Sequence, residues 1–291
     1  MKNEYKGIAS LVASTFIYSF FGVLTRIVGF SLPVFYAMCV RGALAVCILL
    51  TIIFITHRWN KIKKDDWKWF MIRSCGGILG FLGSFFSFYY IPLGTAYFIF
   101  YGGSTIGGYV LGRVLFYEKL TNVKTFSLIL ALLGLFLIYY INIQGGNALW
   151  MMLAFVGGIG TAIWNVCSKK ISGIYPAIQL NLVDFLFTVI FAFFASMFLR
   201  EQWILPSMNT IWLAHLLFVF LFISTGQLMV YGFRHLDAQI GSLIMLTEVL
   251  FGILIGFFVY HEILSVMTVI GGVLILGAII LPEIRWKKLP L

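Results

Sequence analysis

The chain has 291 residues, of which 62% are hydrophobic and only 10% are charged, with a formal net charge of +10. A soluble domain carries about 25% charged residues. This composition excludes a soluble globular protein, because most of the apolar surface must face lipid.

Ten continuous apolar segments follow one another along the chain, each long enough to cross a hydrocarbon core of about 30 Å as a helix. The runs are continuous, whereas the strands of a membrane barrel alternate apolar and polar residues. The sequence therefore predicts an all-α membrane protein with ten transmembrane helices. They lie near residues 8–28, 33–55, 69–90, 96–116, 123–141, 148–168, 177–199, 210–232, 239–260 and 266–282.

The basic residues separate cleanly between the two sides of this arrangement. With the N-terminus in the cytoplasm, every Lys and Arg, including Arg73, falls on the cytoplasmic side except Arg26, Arg41 and Arg200. The positive-inside rule therefore predicts a multi-pass protein of the cytoplasmic (inner) membrane with both termini in the cytoplasm. The separation accounts for the net charge, so no nucleic-acid partner is predicted.

The side chains that usually build catalytic or metal centres are dispersed. All four cysteines lie within apolar segments, and the four histidines form no metal-binding pair. No phosphate-binding or nucleophile motif is present, and the loops are too short to hold a catalytic domain. We expect no cofactor, no metal and no enzymatic activity.

Two segments 144 residues apart repeat one pattern. Ser104, Gly108, Gly112 and Glu118 in the fourth span correspond to Glu248, Gly252, Gly256 and Glu262 in the ninth. Two repeats, 1–144 and 145–291, are predicted. Because each repeat has five spans, the second enters the membrane from the opposite side, which gives the inverted-topology repeats common in secondary transporters.

With these features the chain resembles the drug/metabolite transporter superfamily, specifically its EamA-type ten-helix members. The resemblance rests on the paired Gly-to-Glu segments, on Tyr18 and Trp164 in spans 1 and 6, and on Arg41. Tyr18 stands where the family usually has Trp, and Thr105 and Val249 stand where it often has Pro. The resemblance implies a carrier whose central cavity is lined mainly by spans 1, 3, 4, 6, 8 and 9, and it does not supply the substrate.

Glu248 is the strongest candidate for a functional residue. It lies about 14 Å into span 9 at helical rise, where a charge costs about 2.5–3.5 kcal/mol on insertion scales and is usually functional. The alternative is a protonated carboxyl that hydrogen-bonds a neighbouring helix.

Tyr97, Tyr101 and Ser104 share one face of span 4, so an aromatic cavity with one carboxylate would suit an organic cation or an amino-acid ammonium group. The predicted substrate-binding residues are Glu248, Tyr18, Tyr97, Tyr101, Ser104, Trp164, Asn165, Gln227 and Tyr231.

Charged residues in equivalent positions of the two repeats suggest coupling or gating pairs. Arg41 and Asp184 occupy matching places in spans 2 and 7, and either form an ion pair or have separate roles. Two further pairs fall at opposite membrane surfaces, and their alternative is ordinary interfacial charge. These pairs are Arg26 with Glu262 and Lys170 with Glu118.

The sequence thus predicts a secondary carrier of a small organic metabolite that works by alternating access. Proton coupling through Glu248 and uncoupled exchange both remain open, and a membrane-embedded lipid-modifying enzyme is a weaker alternative. The expected partners are the lipid bilayer, a small-molecule substrate and, in the proton-coupled alternative, protons. We expect a monomer or a weak dimer.

Overall fold

The structure is a computed structural model that describes residues 2–28, 31–140, 143–207 and 209–286. Within these ranges the chain forms α-helices and a 3-10 turn at Lys64–Asp66, and no strand. The helices are α1 (Lys2–Val28), α2 (Val34–Thr56), α3 (Trp67–Tyr90), α4 (Leu93–Phe116), α5 (Asn122–Tyr139), α6 (Ala148–Ile171), α7 (Ala177–Phe198), α8 (Thr210–His235), α9 (Ala238–Met245), α10 (Thr247–Tyr260) and α11 (Val266–Trp286).

These helices confirm the predicted ten-helix membrane fold. Eight spans are long and apolar enough to cross a membrane by length and composition, with α9 and α10 together counted as one, and 266–282 is a shorter apolar helix. The remaining helix, α4, has 24 residues, which corresponds to about 36 Å. Its six glycines and three tyrosines lower its apolarity. We call the side at which α1 begins the N-terminal face and the other side the opposite face.

The packing of the helices follows the inverted repeat. Helices α1 to α5 correspond to α6, α7, α8, the α9–α10 pair and α11. The α3–α6 contact has its counterpart in α1–α8, and the α4–α6 contact has its counterpart between α1 and the α9–α10 pair. The α2–α7 and α5–α11 contacts each map onto themselves. Two five-helix repeats of opposite orientation therefore share one bundle.

Glycines allow the helices of the two repeats to approach closely. A Cβ added at Gly83 of α3 would lie 2.7 Å from the Leu153 carbonyl oxygen of α6 and would overlap the backbone of Gly157. Two turns earlier in α3, a Cβ at Gly76 would lie 2.8 Å from the Gly160 carbonyl oxygen. In lipid there is no hydrophobic driving force between helices. Small residues instead let the two backbones approach closely enough for van der Waals packing to hold the helices together.

The ninth span is interrupted, which the sequence does not predict. At Leu246 the helix changes to i→i−3 hydrogen bonds: the Leu246 amide donates to the Leu243 carbonyl (3.0 Å) and the Val249 amide to the Leu246 carbonyl (3.1 Å). The span therefore consists of α9 on the N-terminal side and α10 on the opposite side. A short 3-10 segment inside a long helix often marks a hinge.

Candidate functional site

Glu248 lies in the first turn of α10, immediately after the interruption at Leu246. Ten residues separate it from the start of α9, about 15 Å of helix, so its half-buried carboxyl lies near the middle of the membrane. A carboxylate at this depth usually faces a cavity or a partner.

Tyrosines of the first repeat surround this carboxyl. The Tyr101 hydroxyl of α4 donates to Glu248 Oε1 at 3.0 Å. The Tyr97 ring stacks on Tyr101 with centroids 5.9 Å apart and on Tyr139 of α5 with centroids 5.7 Å apart. We call these four residues the tyrosine–glutamate cluster. The structure brings together the predicted Tyr97, Tyr101 and Glu248, and it adds Tyr139, which sequence reasoning missed.

Helix α1 closes another side of the cluster. The Thr15 and Thr247 hydroxyls lie 2.6 Å apart and are buried, so α1 is bonded to α10 at the interruption. Tyr18, one turn along α1, contacts Thr225 of α8. It also lies close enough to both Glu248 and Arg73 to interact with their charges. The predicted Tyr18 therefore lies between the tyrosine–glutamate cluster and a second charged group.

That second group is a buried ion pair between Arg73 of α3 and Asp184 of α7. Ser74 Oγ donates to Asp184 Oδ1 at 2.7 Å, and the Trp164 indole N–H donates to Asp184 Oδ2 at 2.8 Å. Arg73 also donates to the Asn181 side-chain oxygen at 3.0 Å, and no part of it is exposed. Arg73 is therefore a buried, paired charge, although the charge distribution along the sequence groups it with the basic residues of the cytoplasmic side.

Arg41 has different surroundings, and no ion pair joins it to Asp184, although both are described. Its Nε donates to the Ala37 carbonyl at 3.2 Å, and its guanidinium lies 4.8 Å from the centroid of the Phe218 ring of α8. Of the two alternatives for Arg41 and Asp184, these contacts agree with separate roles, because Arg73 of α3 pairs with Asp184. Equivalence between repeats does not imply contact.

Among the described residues, Ser104, Asn165, Gln227 and Tyr231, the other predicted substrate-binding residues, make no hydrogen bond to Glu248. Ser104 packs its backbone near Gly158 of α6. Asn165 and Gln227 each have a buried side-chain atom that lacks a hydrogen-bond partner among the described residues. The Tyr231 ring packs at 42° against His235 at the last turn of α8, with centroids 4.5 Å apart, and so lies towards the N-terminal face.

At the N-terminal face, Glu118 joins the two repeats. Its carboxylate accepts from the backbone amides of Ala238 (2.7 Å) and Gln239 (3.1 Å) and so caps α9. Lys169 of α6 pairs with the same carboxylate at 2.8 Å. Lys170, for which the sequence left open a pair with Glu118 or ordinary interfacial charge, has its ammonium 5.8 Å from the Phe116 ring centroid. Adjacent residues of a helix point in different directions, so a shift of one position changes the partner.

At the opposite face, Glu262 occupies the equivalent position. Its backbone amide donates to the Gly256 carbonyl at 3.1 Å, as the Glu118 amide does to Gly112 at 3.2 Å. The Arg26 side chain lies outside the described residues, so the Arg26–Glu262 pair stays a prediction.

Sequence comparison identifies the family. The model of the EamA-like transporter family matches this chain twice, over residues 5–140 and 148–282. The chain belongs to this family. Its members are transporters, so the protein is a membrane transporter of small molecules.

Comparison with solved structures agrees on the fold. One matching crystal structure of a protein has a TM-score of 0.81 and 14% sequence identity, and the alignment covers 98% of this chain and 100% of the other. At that identity the likeness shows the fold alone. A search of curated proteins gives no match.

Proposed function

We propose that this EamA-like transporter is a secondary carrier of a small organic cation or an amino-acid-like ammonium compound, which binds at the tyrosine–glutamate cluster. The hydrogen bond from Tyr101 to Glu248 carries the proposal. It holds a carboxylate beside stacked aromatic rings at mid-membrane depth. Carboxylate and ring faces both attract cations, and a cation–π contact contributes about 0.5–2 kcal/mol.

The connections of the cluster support alternating access. Glu248 belongs to the second repeat, whereas its tyrosine partners and Thr15 belong to the first. A substrate held between them contacts both repeats. Movement of one repeat against the other would therefore change the site itself, as expected for a carrier with a central site between inverted repeats.

Glu248 also supports coupling to protons. Its carboxyl lies far from either membrane surface, where a charged carboxylate without a bound cation is costly. A proton and a cationic substrate would each neutralise it, so the two compete for one group. Such competition couples an outward flow of substrate to an inward flow of protons. In this proposal the N-terminal face is cytoplasmic, in agreement with the distribution of basic residues.

The test combines binding and transport by the purified carrier. Organic cations, amino acids and neutral sugars are screened by thermal shift, and the stabilising compounds are followed in proteoliposomes with and without a pH gradient. Glu248→Gln should weaken binding of a stabilising cation at least tenfold, because a charged hydrogen-bonded partner is worth about 1.5–3 kcal/mol. It should also abolish the response to the gradient. Asp65→Asn, at an exposed carboxylate before α3, is the matched control and should change neither.

Unchanged cation affinity in Glu248→Gln would refute the site. A carrier whose wild-type uptake ignores the pH gradient, yet still requires Glu248 for binding, would instead be the uncoupled exchanger. Stabilisation by neutral sugars alone would remove the cationic substrate class.

A further inference from the structure

The two copies of the repeated segment, in spans 4 and 9, have the same sequence pattern but different surroundings. Gly108 of α4 and Gly252 of α10 correspond by the offset of 144 residues. A Cβ added at Gly108 would overlap the Ser242 side chain of α9, whereas a Cβ at Gly252 would meet nothing within 4 Å. Spans 4 and 9 are therefore packed together towards the N-terminal face, while the α10 half of span 9 has open space beside it on the other side.

The terminal carboxylates show the same contrast. In both copies the residue before the glutamate has a left-handed backbone, with φ of 55° at Tyr117 and 54° at His261. In both, the carboxylate folds back over a glycine: a Cβ would lie 2.7 Å from Glu118 Oε2 at Gly112 and 2.6 Å from Glu262 Oε2 at Gly256. Glu118 is nevertheless only 7% exposed, whereas Glu262 is exposed.

The difference lies in what each carboxylate contacts across the repeats. Glu118 accepts from the amides of Ala238 and Gln239 at the start of α9. The residues that correspond to these two in the first repeat are Gly94 and Thr95, at the start of α4 on the opposite face. Pro92, which precedes that helix, gives it no side-chain cap.

We propose that Glu118 and Glu262 form an alternating pair of gates. Each closes one face by capping the first turn of a helix in the other repeat: Glu118 caps α9, and Glu262 caps α4. In the state described here Glu118 caps α9 and closes the N-terminal face. In the other state Glu262 accepts from the amides of Gly94 and Thr95, α4 and α10 close around Gly252, and Glu118 releases α9. This inference goes beyond the proposed substrate site and does not depend on it.

The two gates are unequal, which sets the resting state. At the N-terminal face Lys169 pairs with Glu118, and Lys124 pairs with Asp237 at 2.7 Å, so four charges alternate in sign. The residues that correspond to Lys169, Lys124 and Asp237 are Thr25, Thr268 and Leu93, none of them charged. At the opposite face Arg26 follows Thr25, and the side chain of Arg26 lies outside the described residues. The carrier therefore rests with its N-terminal face closed.

Distance measurements between spin labels test this without any substrate. In a background that lacks the four native cysteines, one label pair at Leu93→Cys and Ile263→Cys reports on the opposite face. A second pair at Lys119→Cys and Arg234→Cys reports on the N-terminal face; all four positions are exposed. Glu118→Gln should lengthen the second distance, shorten the first, and change the ratio of the two populations at least tenfold. Adding Glu262→Gln should reverse most of that change.

Several outcomes would overturn the proposal. One is a folded Glu118→Gln variant with unchanged distances, and another is a double variant that behaves like Glu118→Gln alone. Asp65→Asn removes one exposed carboxylate at the N-terminal face and should leave both distances unchanged. If Glu118→Gln does not fold, Asp237→Asn weakens the same network and should shift the distances in the same direction by a smaller factor. Failure of that shift would also refute the gate, whereas failure of cation binding would bear only on the proposed substrate.

Discussion

At the scale of single residues, Tyr101 is the side chain that orients the carboxylate of the tyrosine–glutamate cluster. Tyr101→Phe keeps the ring stacked on Tyr97 and removes only the hydroxyl that donates to Glu248. A hydrogen bond to a charged group contributes about 1.5–3 kcal/mol. We expect roughly a tenfold or greater loss of cation affinity, measured by titration calorimetry or thermal shift.

Tyr109→Phe is the matched control for this change. Tyr109 lies on the same helix, is buried, and donates to the Lys124 carbonyl at 2.9 Å, away from Glu248. Its loss should leave cation affinity unchanged. Equal losses in the two variants would show that Tyr101 acts through the stability of α4 and not through the carboxylate.

The Arg73–Asp184 pair makes a prediction about stability. Removing one member of a buried ion pair leaves an uncompensated charge and costs about 3–5 kcal/mol. Arg73→Met should therefore lower the thermal stability of the purified protein strongly. Arg73→Met combined with Asp184→Leu should recover much of that loss, because no buried charge remains. A double variant that is no more stable than Arg73→Met would indicate that Trp164 and Ser74, and not the charge pair, account for the stability.

Residue contacts were less predictable than residue depth. The depth of Glu248 follows from counting along a continuous apolar segment, because helical rise is constant. The partners of Glu118 and Asp184 depend on the rotation of each helix about its axis. A rotation by one residue exchanges Lys170 for Lys169, and the approach of α3 brings Arg73 to Asp184 ahead of Arg41. Composition and periodicity in an apolar chain hardly constrain that rotation, since every face is hydrophobic.

At the scale of helices, the glycine contact between α3 and α6 is a close backbone contact that one substitution tests directly. A Cβ at Gly83 would overlap the Gly157 backbone, so Gly83→Ala must push the two helices apart. Overpacking of this kind typically costs about 1–3 kcal/mol. We expect a clear loss of thermal stability in detergent.

Gly22→Ala of α1 is the corresponding control, because an added Cβ there meets nothing within 4 Å. Alanine has a higher helix propensity than glycine, by about 1 kcal/mol. This variant should therefore be as stable as the wild type or slightly more stable. Equal destabilisation by both substitutions would contradict close packing of α3 on α6.

The interruption at Leu246 shows where helix prediction fails for a physical reason. The residues around it, Leu243 to Val249, include no proline or glycine, so the local sequence gives no signal of a break. The Thr247 hydroxyl makes two hydrogen bonds at the interruption. The one with Thr15 of α1 is a tertiary contact, and the one to the Ile244 carbonyl (2.8 Å) is local. The hydrogen bond between Thr247 and Thr15 forms only once α1 lies against α10. The interruption is thus a consequence of packing between repeats.

At the scale of the whole molecule, the inverted repeat could be predicted from the sequence, but which of the two faces is closed could not. The spacing of 144 residues and the odd number of spans per repeat imply two halves of opposite orientation. Exact symmetry would make both faces alike. The structure departs from symmetry at Gly108 and Gly252, and at Glu118 and Glu262. That departure cannot be read from two segments whose sequences match.

Gly252→Val tests that departure in the assembled carrier. Valine fits the structure described here, because a Cβ at Gly252 meets no atom within 4 Å. In the alternate state, spans 4 and 9 would pack there as closely as they now pack at Gly108, and valine would clash. The variant should bind substrate as the wild type does but transport it at least tenfold more slowly in proteoliposomes, because a barrier increase of about 1.4 kcal/mol already gives tenfold. Gly22→Val, placed in open space on α1, should bind and transport normally. Normal transport by Gly252→Val would mean that α10 never closes on α4 and that access alternates by another movement.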